Sequence, residues 1–353
     1  MSHPLFDAAG WPRTAPPPLT QALLRVQPED FVVEEQMPHV PEGRGEHLWL
    51  KVRKRGFNTD QVAKLLARAA GVTRREVGYA GMKDRNAVTV QWFSLHLPGR
   101  PDPSWSELPP GIEVLEAARH TRKLKTGALA GNCFTLVLRE CVGDGDALAA
   151  RVRAIAAHGV PNYFGEQRFG HDGDNIAHAR AMFAGTEPAG DRHLRGIYLS
   201  AARAFLFNEV LAARIRAGNW DQALSGEALM LAGSNSFFVA EAIDATLQAR
   251  LAAHDIHPSG PLWGEGEPPC RGVVHELEMA IGARHADLAA GLAAEGLRQE
   301  RRALRLLPRE PSVEALEPSV WRLRFCLPAG SYATMVVREL AEYRSVGGMV
   351  PVE

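Results

Sequence analysis

Residues 79–95 read YAGMKDRNAVTVQWFSL, and the fold turns on how they are taken. No i, i+3, i+4 apolar pattern runs through Tyr79–Asp84, so this is not a helix. EVGYAG reads as a strand, MKDRN as a loop, and AVTVQWFSLHL as a second strand rich in β-branched and aromatic residues. Asp84 therefore sits on a loop at a strand end, between Lys83 and Arg85. Loops held by strands commonly carry catalytic groups. Flanking cations keep a carboxylate ionised, and an ionised Asp can act as nucleophile, electrostatic stabiliser or general base. The same spacing also fits a solvated charged turn, which is a common surface feature.

Working outward, HLWLKVRKRG (residues 47–56) alternates, with Leu48, Leu50 and Val52 on one side and Trp49, Lys51 and Arg53 on the other. That is a half-buried strand with a partly basic outer face. NTDQVAKLLARAAGV follows as a helix: Asn58 or Thr59 caps it, Gln61 can close a capping box with Asn58, and Gly71 ends it. Its expected buried stripe is Val62, Leu65, Leu66 and Ala69. CFTLVLRE and VWRLRFCLP read as strands, and ATMVVRELAEYR, near the end of the chain, as a helix. Between about residues 158 and 306 the texture changes to Ala-rich helical segments, AARAFLFNEVLAARIRAG and RHADLAAGLAAEGLRQERRALRLL, around a Pro/Gly-rich loop, PSGPLWGEGEPPCRG. This predicts a more helical domain inserted into a strand-rich one whose two flanks join in one sheet.

Composition bounds the partners. The chain has 353 residues, 46% hydrophobic and 23% charged, enough for two domains with an ordinary core. The formal net charge is −1, so any nucleic-acid site has to come from local clusters of Lys and Arg. Two such clusters stand out: Arg119, Arg122, Lys123 and Lys125 in RHTRKLKTG, and Lys51, Arg53, Lys54 and Arg55 in KVRKRG. Either could be a solvated face, but both flank strands near Asp84 and together point to a phosphate backbone. PNYFGEQRFG (residues 161–170) mixes aromatics with Arg168, which suits either base stacking or buried packing. Cys133, Cys141, Cys270 and Cys326 show no CxxC spacing, and the histidines no ligand spacing, so no metal site is expected and a reduced compartment fits. The first twenty residues lack a basic region followed by an apolar one, and no apolar run reaches membrane length. A cytoplasmic location without membrane attachment is expected.

Six stretches taken in order resemble one family: QPEDFVVEE, GYAGMKDRNAVTVQWFSL, RHTRKLKTGALAGNCFTLVLRE, GVPNYFGEQRFG, LSAARAFLFNEVL and LPAGSYATMVVREL look like the TruD family of tRNA pseudouridine synthases. The match covers about residues 20–345. The resemblance implies an α+β fold: a pseudouridine-synthase-like catalytic domain with a mixed, largely antiparallel sheet and flanking helices over residues 1–157 and 307–353, and an inserted α/β TruD-specific domain over 158–306. It implies isomerisation of uridine to pseudouridine, expected at position 13 of tRNA, by a monomer with no cofactor and no metal. The catalytic aspartate of AGMKDRNAVTVQ falls on Asp84. Substrate contacts fall on Phe31 of PEDF, on Asn132 of GNCFTL with Phe134 beyond it, and on Tyr332 of LPAGSY, where Phe is usual. Arg25 stands where Lys is common, and Arg25, Lys83 or Arg85 would hold Asp84 charged. A carboxylate could attack C1′, deprotonate C2′ or add to C6, and all three routes stay open. The alternative is a non-catalytic tRNA-binding protein or RNA chaperone; a nucleoside hydrolase would call for paired acids or a metal cluster.

Overall fold

Ten of the strands form one sheet. In chain order these are β1 (Leu19–Leu24), β2 (Phe31–Gln36), β3 (His47–Arg55), β4 (Val77–Tyr79), β5 (Val88–His96), β6 (Ile112–His120) and β7 (Gly131–Gly143), then β14 (Arg309–Glu317), β15 (Val320–Pro328) and β16 (Ala341–Ser345). The computed structural model describes residues 10–188 and 190–346. Across the sheet the order is β14-β15-β7-β2-β5-β3-β6, with β1 beside β7 and β16, and β4 beside β5. Only β1–β16 and β2–β5 run parallel, so the sheet is mixed and largely antiparallel, as expected. Strands from both flanks of the middle segment meet where β15 pairs with β7.

Helix α1 (Thr59–Ala69) covers one end of a sheet face. Its capping box forms as read, the Asn58 side chain accepting from the Gln61 amide and the Gln61 side chain from the Asn58 amide. The buried stripe is Val62, Ala63, Leu66 and Ala67, packed on Leu48, Leu50, Val52, Phe93 and Leu95. Ala69 lies outside that stripe, which is rotated by one residue from the expected one. Fully burying Val62 and Leu66 is worth about 1.5–3 kcal/mol each, which fixes α1 against the sheet.

The chain divides into two units, residues 17–157, 308–333 and 340–346 in the sheet unit, and residues 10–16, 158–307 and 334–339 in the other. Residues 10–16 and 334–339, read as part of the flanking domain, thus cluster with the middle one. The reason is local: Trp11 stacks on Tyr163 at 5.6 Å, and the Arg13 guanidinium donates to the Arg338 carbonyl. Residues 1–9 and 347–353 of the expected flanking domain, the former being the first nine of the twenty read for a leader, lie outside the described residues.

The second unit carries a four-stranded sheet, ordered β10-β9-β11-β12, and a short β8–β13 pair. These are β8 (Val160–Pro161), β9 (Glu227–Leu231), β10 (Phe237–Ala240), β11 (Ile256–Leu262), β12 (Glu300–Ala303) and β13 (Arg305–Leu306). Its longest helix runs Arg192–Arg216 and stops before Gly218, whose φ of +68° is the turn that glycine permits.

Four readings are corrected here. PSGPL, taken as loop, forms Pro258–Leu262 of β11, a strand buried as far as Pro261 between β9 and β12 despite its two prolines. The helical run expected from Arg284 keeps helix only over Ala286–Ala294; its tail becomes β12 and β13, because Arg301 is buried against both carboxylate oxygens of Glu278 at 2.8 Å. The terminal helix stops at Arg338, and Ala341–Ser345 becomes β16, recruited by β1. The scattered cysteines, read as fitting a reduced compartment, include a disulfide: Cys133 and Cys326 face each other across β7 and β15, a pairing that no sequence spacing betrays, while Cys141 and Cys270 are free. Among the described residues no helix is long and apolar enough to cross a membrane, and no three His, Cys, Asp or Glu side chains converge as a metal site.

Candidate active site

The loop from Gly81 to Asn86 joins β4 to β5 and is tied down by buried polar side chains. Alternation along β3 carries Lys54 to the same side as Leu48, Leu50 and Val52, where its side chain is fully buried. Its ammonium donates to the carbonyls of Phe57 (2.8 Å), Asp84 (3.0 Å) and Lys83 (3.3 Å). Gln91 of β5 donates to the Gly81 carbonyl at 2.5 Å and accepts from the Thr59 hydroxyl, which in turn accepts from the Lys83 amide at 2.9 Å. A buried donor left unpaired costs about 1–3 kcal/mol, so this network holds the loop in one conformation.

Asp84 ends up at the head of it. One carboxylate oxygen takes a hydrogen bond from the Asn86 amide at 2.9 Å, the other an ion pair from Arg25 Nη1 at 3.0 Å. The side chains of Arg25 and Asp84 are only 5% and 15% exposed, so the pair is weakly screened. Arg25 follows β1 with φ +61°, a left-handed conformation rare outside glycine, and aims its guanidinium inward. Burial pulls that guanidinium below its ordinary pKa, opposed first by Asp84 and then by Tyr343. Its Nε is buried without a hydrogen-bond partner among the described residues.

Register sets the rest. Paired residues on neighbouring strands share a face, and residues two apart along a strand return to it. Phe31, Val33 and Glu35 of β2 therefore share a face with Leu136, Phe134 and Asn132 of β7, and with Thr89 of β5. Phe31 is 4% exposed; its ring meets Phe134 edge-on at 6.3 Å, and the Arg25 guanidinium covers its face at 4.0 Å. Phe134 continues to Phe325 at 5.6 Å. The Asn132 Oδ1 is buried with no partner among the described residues. Tyr332 lies half-buried in the turn after β15, whose last residue, Pro328, pairs beside Asn132 at Gly131.

The expected site residues separate on this geometry. Arg25 partners Asp84. Lys83 instead pairs with Glu35 at 2.5 Å, while the other Glu35 oxygen accepts from the Trp92 amide. Arg85 is exposed and donates to the Gly56 carbonyl. Phe31 presents no open face while Arg25 lies on it. The basic face read in KVRKRG does not exist as free charge: Lys51 pairs with Glu34, Arg53 with Glu113 and Arg55 with Glu29, and Lys54 is inside. The aromatics of PNYFGEQRFG are packing groups, with Tyr163 and Phe169 buried beside Trp11. Lys54, Thr59, Gln91 and Glu35 were missed as supports of the site; a charged or amide residue at an inward position of an alternating strand was the available signal.

Lys54 gives a test with a defined sign. Burial pulls its pKa down from 10.5 to about 8, against the opposing pull of Asp84. Between those values the unfolded chain binds more protons than the folded one, so stability drawn from this group rises with pH across that window. The full change is roughly 3 kcal/mol at 1.36 kcal/mol per unit. Urea midpoints measured from pH 7 to 10 should show Lys54→Met losing ground to the native protein as pH rises. Its turnover at pH 7 should fall about tenfold or more as the Asp84 carbonyl loses its anchor, the scale expected when a reacting group is misplaced by about 1 Å.

Asp84 thus lies on a loop held by a mixed sheet, paired with an arginine whose guanidinium covers the first of a row of aromatic rings. The solved structure of a tRNA pseudouridine synthase D from Methanosarcina mazei, itself described as putative, has this fold: the TM-score is 0.72 over 93% of this chain and 95% of that one, at 21% identity. The sequence pattern of the family tRNA pseudouridine synthase D (TruD) matches residues 14–185 and 183–340. The tRNA pseudouridine synthase D of Methylococcus capsulatus is 50% identical over 92% of both chains, that of Nitrosococcus oceani 48% over 94% of both, and that of Xanthomonas campestris 49% over 98% of both. The chain belongs to the TruD family of tRNA pseudouridine synthases.

Proposed function

We propose that this chain converts uridine to pseudouridine at position 13 of tRNA, with Asp84 as the reacting carboxylate. The observation that carries the reading is the Asp84–Arg25 pair at 3.0 Å, nearly sealed from water. The sheet unit is the catalytic domain and residues 158–306 the insertion domain; the enzyme works as a monomer in the cytoplasm. Uridine and pseudouridine are isomers, so the reaction needs no net oxidant, reductant or co-substrate. The C1′–N1 bond breaks, the uracil turns, C5 bonds to C1′ and gives up its proton, and N1 takes a proton up, so atoms and charge balance. An ionised Asp84 starts this as nucleophile or base.

The nucleotide has to leave its stack first, at a few kcal/mol. Stacking against aromatic side chains returns about 1–3 kcal/mol per base. Tyr332 and Phe134 belong to this wall, and Phe31 joins it when Arg25 swings off its ring. Two orphan groups suit the uracil edge: Asn132 Oδ1 can accept from N3–H, and Arg25 Nε–H can donate to a ring carbonyl. Lys83 serves the base only through Glu35.

The test is incubation of the pure protein with a tRNA transcript, then nucleoside chromatography. Uridine should convert without mass change, and a transcript carrying cytidine at position 13 should stay unmodified. Binding without conversion would instead establish the RNA-chaperone reading.

A further inference from the structure

A groove of about 1120 Å³ lies in the sheet unit between residues 37–47 and 120–128, and none of the Asp84-site residues lines it. We propose that it holds sugar–phosphate backbone of the tRNA at a point away from the reacting nucleotide; this rests on tRNA being the substrate. The groove accounts for the basic cluster of RHTRKLKTG, which the Asp84 site leaves unused.

Each exposed cation of β3 is matched by a carboxylate. In the groove, Arg122 and Lys125 are exposed and form no ion pair among the described residues. Lys123 donates to the Arg75 carbonyl, which spends none of its charge. The one acid in the lining, Glu42, already faces Arg44 at 3.9 Å. The lining is thus locally cationic on a chain whose net charge is −1. Unpaired cations at spacings of a few residues are what neutralise successive phosphates.

The floor suits RNA as well. Trp49 stacks on His120 at 4.2 Å and donates from Nε1 to the Arg122 carbonyl, so the stack fixes the backbone of the cationic turn. Val40 stands at the rim 84% exposed, beside Met37 and Pro38, giving apolar surface for sugar faces. The wall is pre-formed: the Gly43 amide donates to the Arg119 carbonyl at 2.8 Å, and a Cβ on Gly45 would collide with the His120 backbone. The groove is also coupled to the site. The Gly127 amide donates to the Ala80 carbonyl at 2.7 Å, and Ala80 packs with Trp49 and Leu124, four residues before Asp84. RNA seated here would be held in register with the Asp84 loop.

The experiment pairs two double variants in tRNA binding and steady-state assays across a salt series. Arg122→Ala with Lys125→Ala should weaken tRNA binding about tenfold or more near physiological salt and lower the slope of log Kd against log salt by about two. In turnover the loss should appear in KM rather than in kcat. Arg53→Ala with Arg55→Ala, which removes the same charge from paired positions, should leave Kd and slope within about twofold, since paired surface cations release few counterions. Native-like melting of both variants confirms the fold. An unchanged Kd and salt slope for the groove variant, or an equal loss in the paired-cation control, overturns the proposal. The outcome is separable from the catalytic reading. If the native protein binds tRNA through Arg122 and Lys125 yet forms no pseudouridine, the groove stands and the assignment of Asp84 falls. If pseudouridine forms and the groove variant binds normally, only the groove falls.

Discussion

Asp84→Asn is expected to lower pseudouridine formation at least about 10³-fold, with tRNA affinity within about threefold of the native value. The size follows from what is removed: a positioned carboxylate acting as base or nucleophile contributes on the order of 10²–10⁴ in rate, and the neighbouring acid, Glu35, is held by Lys83 and the Trp92 amide. The substitution also leaves Arg25, 5% exposed, facing a neutral amide. Breaking one side of a buried pair costs about 3–5 kcal/mol, reduced here because the Asp84 side chain keeps 15% of its exposure. A fall in melting temperature is therefore expected, and it makes a further variant informative. Asp84→Asn combined with Arg25→Met replaces the ion pair by neutral groups, an exchange that is often neutral for stability. The double variant should recover most of the lost melting temperature and none of the turnover. Recovery of both would mean that Asp84 only neutralises Arg25. Turnover retained in the single variant would remove Asp84 from the chemistry.

Arg25→Met is the second large effect. The guanidinium does three things at once: it pairs with Asp84 at 3.0 Å, covers the Phe31 ring at 4.0 Å, and leaves Nε free in the site. Methionine keeps the bulk and loses all three. Turnover should fall about 10²–10³-fold, the usual consequence of removing a preorganised charged donor, while tRNA affinity changes little. Arg25→Lys separates charge from shape. A lysine can pair with Asp84 but offers no planar fork to lie on Phe31 and no second donor at Nε. It should retain turnover within about tenfold of the native protein while losing stability of about 1 kcal/mol from the stacked cation. Equal turnover for the Met and Lys variants would show that the positive charge is not what Asp84 needs from this position.

Much of the geometry around Asp84 was legible in residues 79–95, because the period-2 pattern after Asn86 and the absence of helical spacing before it left Asp84 nowhere but a loop at a strand end. The capping box at Asn58 and Gln61 was equally legible, since a cap is satisfied within four residues. Partners at long range were not. Nothing in Lys83 distinguishes a pair with Asp84, its neighbour, from the one it makes with Glu35, since the choice depends on which strand lies beside the loop. The cations of β3 read as a binding face because their acids sit on other elements, on β2 at Glu34, on β6 at Glu113 and ahead of β2 at Glu29. Two proline-bearing residues of β11 and the tail after Ala294 were misread because burial and a saturated ion pair outweighed local propensity.

By itself, then, the amino-acid order determined the alternating strands β3 and β5, the capped helix and the loop that carries Asp84, features whose patterning shows over a few neighbouring residues. Tertiary structure alone decided that Arg25, 59 positions away, is the group beside that carboxylate, that Lys54 holds its backbone from inside, and that Arg122 and Lys125 are among the cations left without acids in the described residues. The physical reason is that charge pairing is settled by distance in space and by burial, and neither is written in the spacing of residues along a chain.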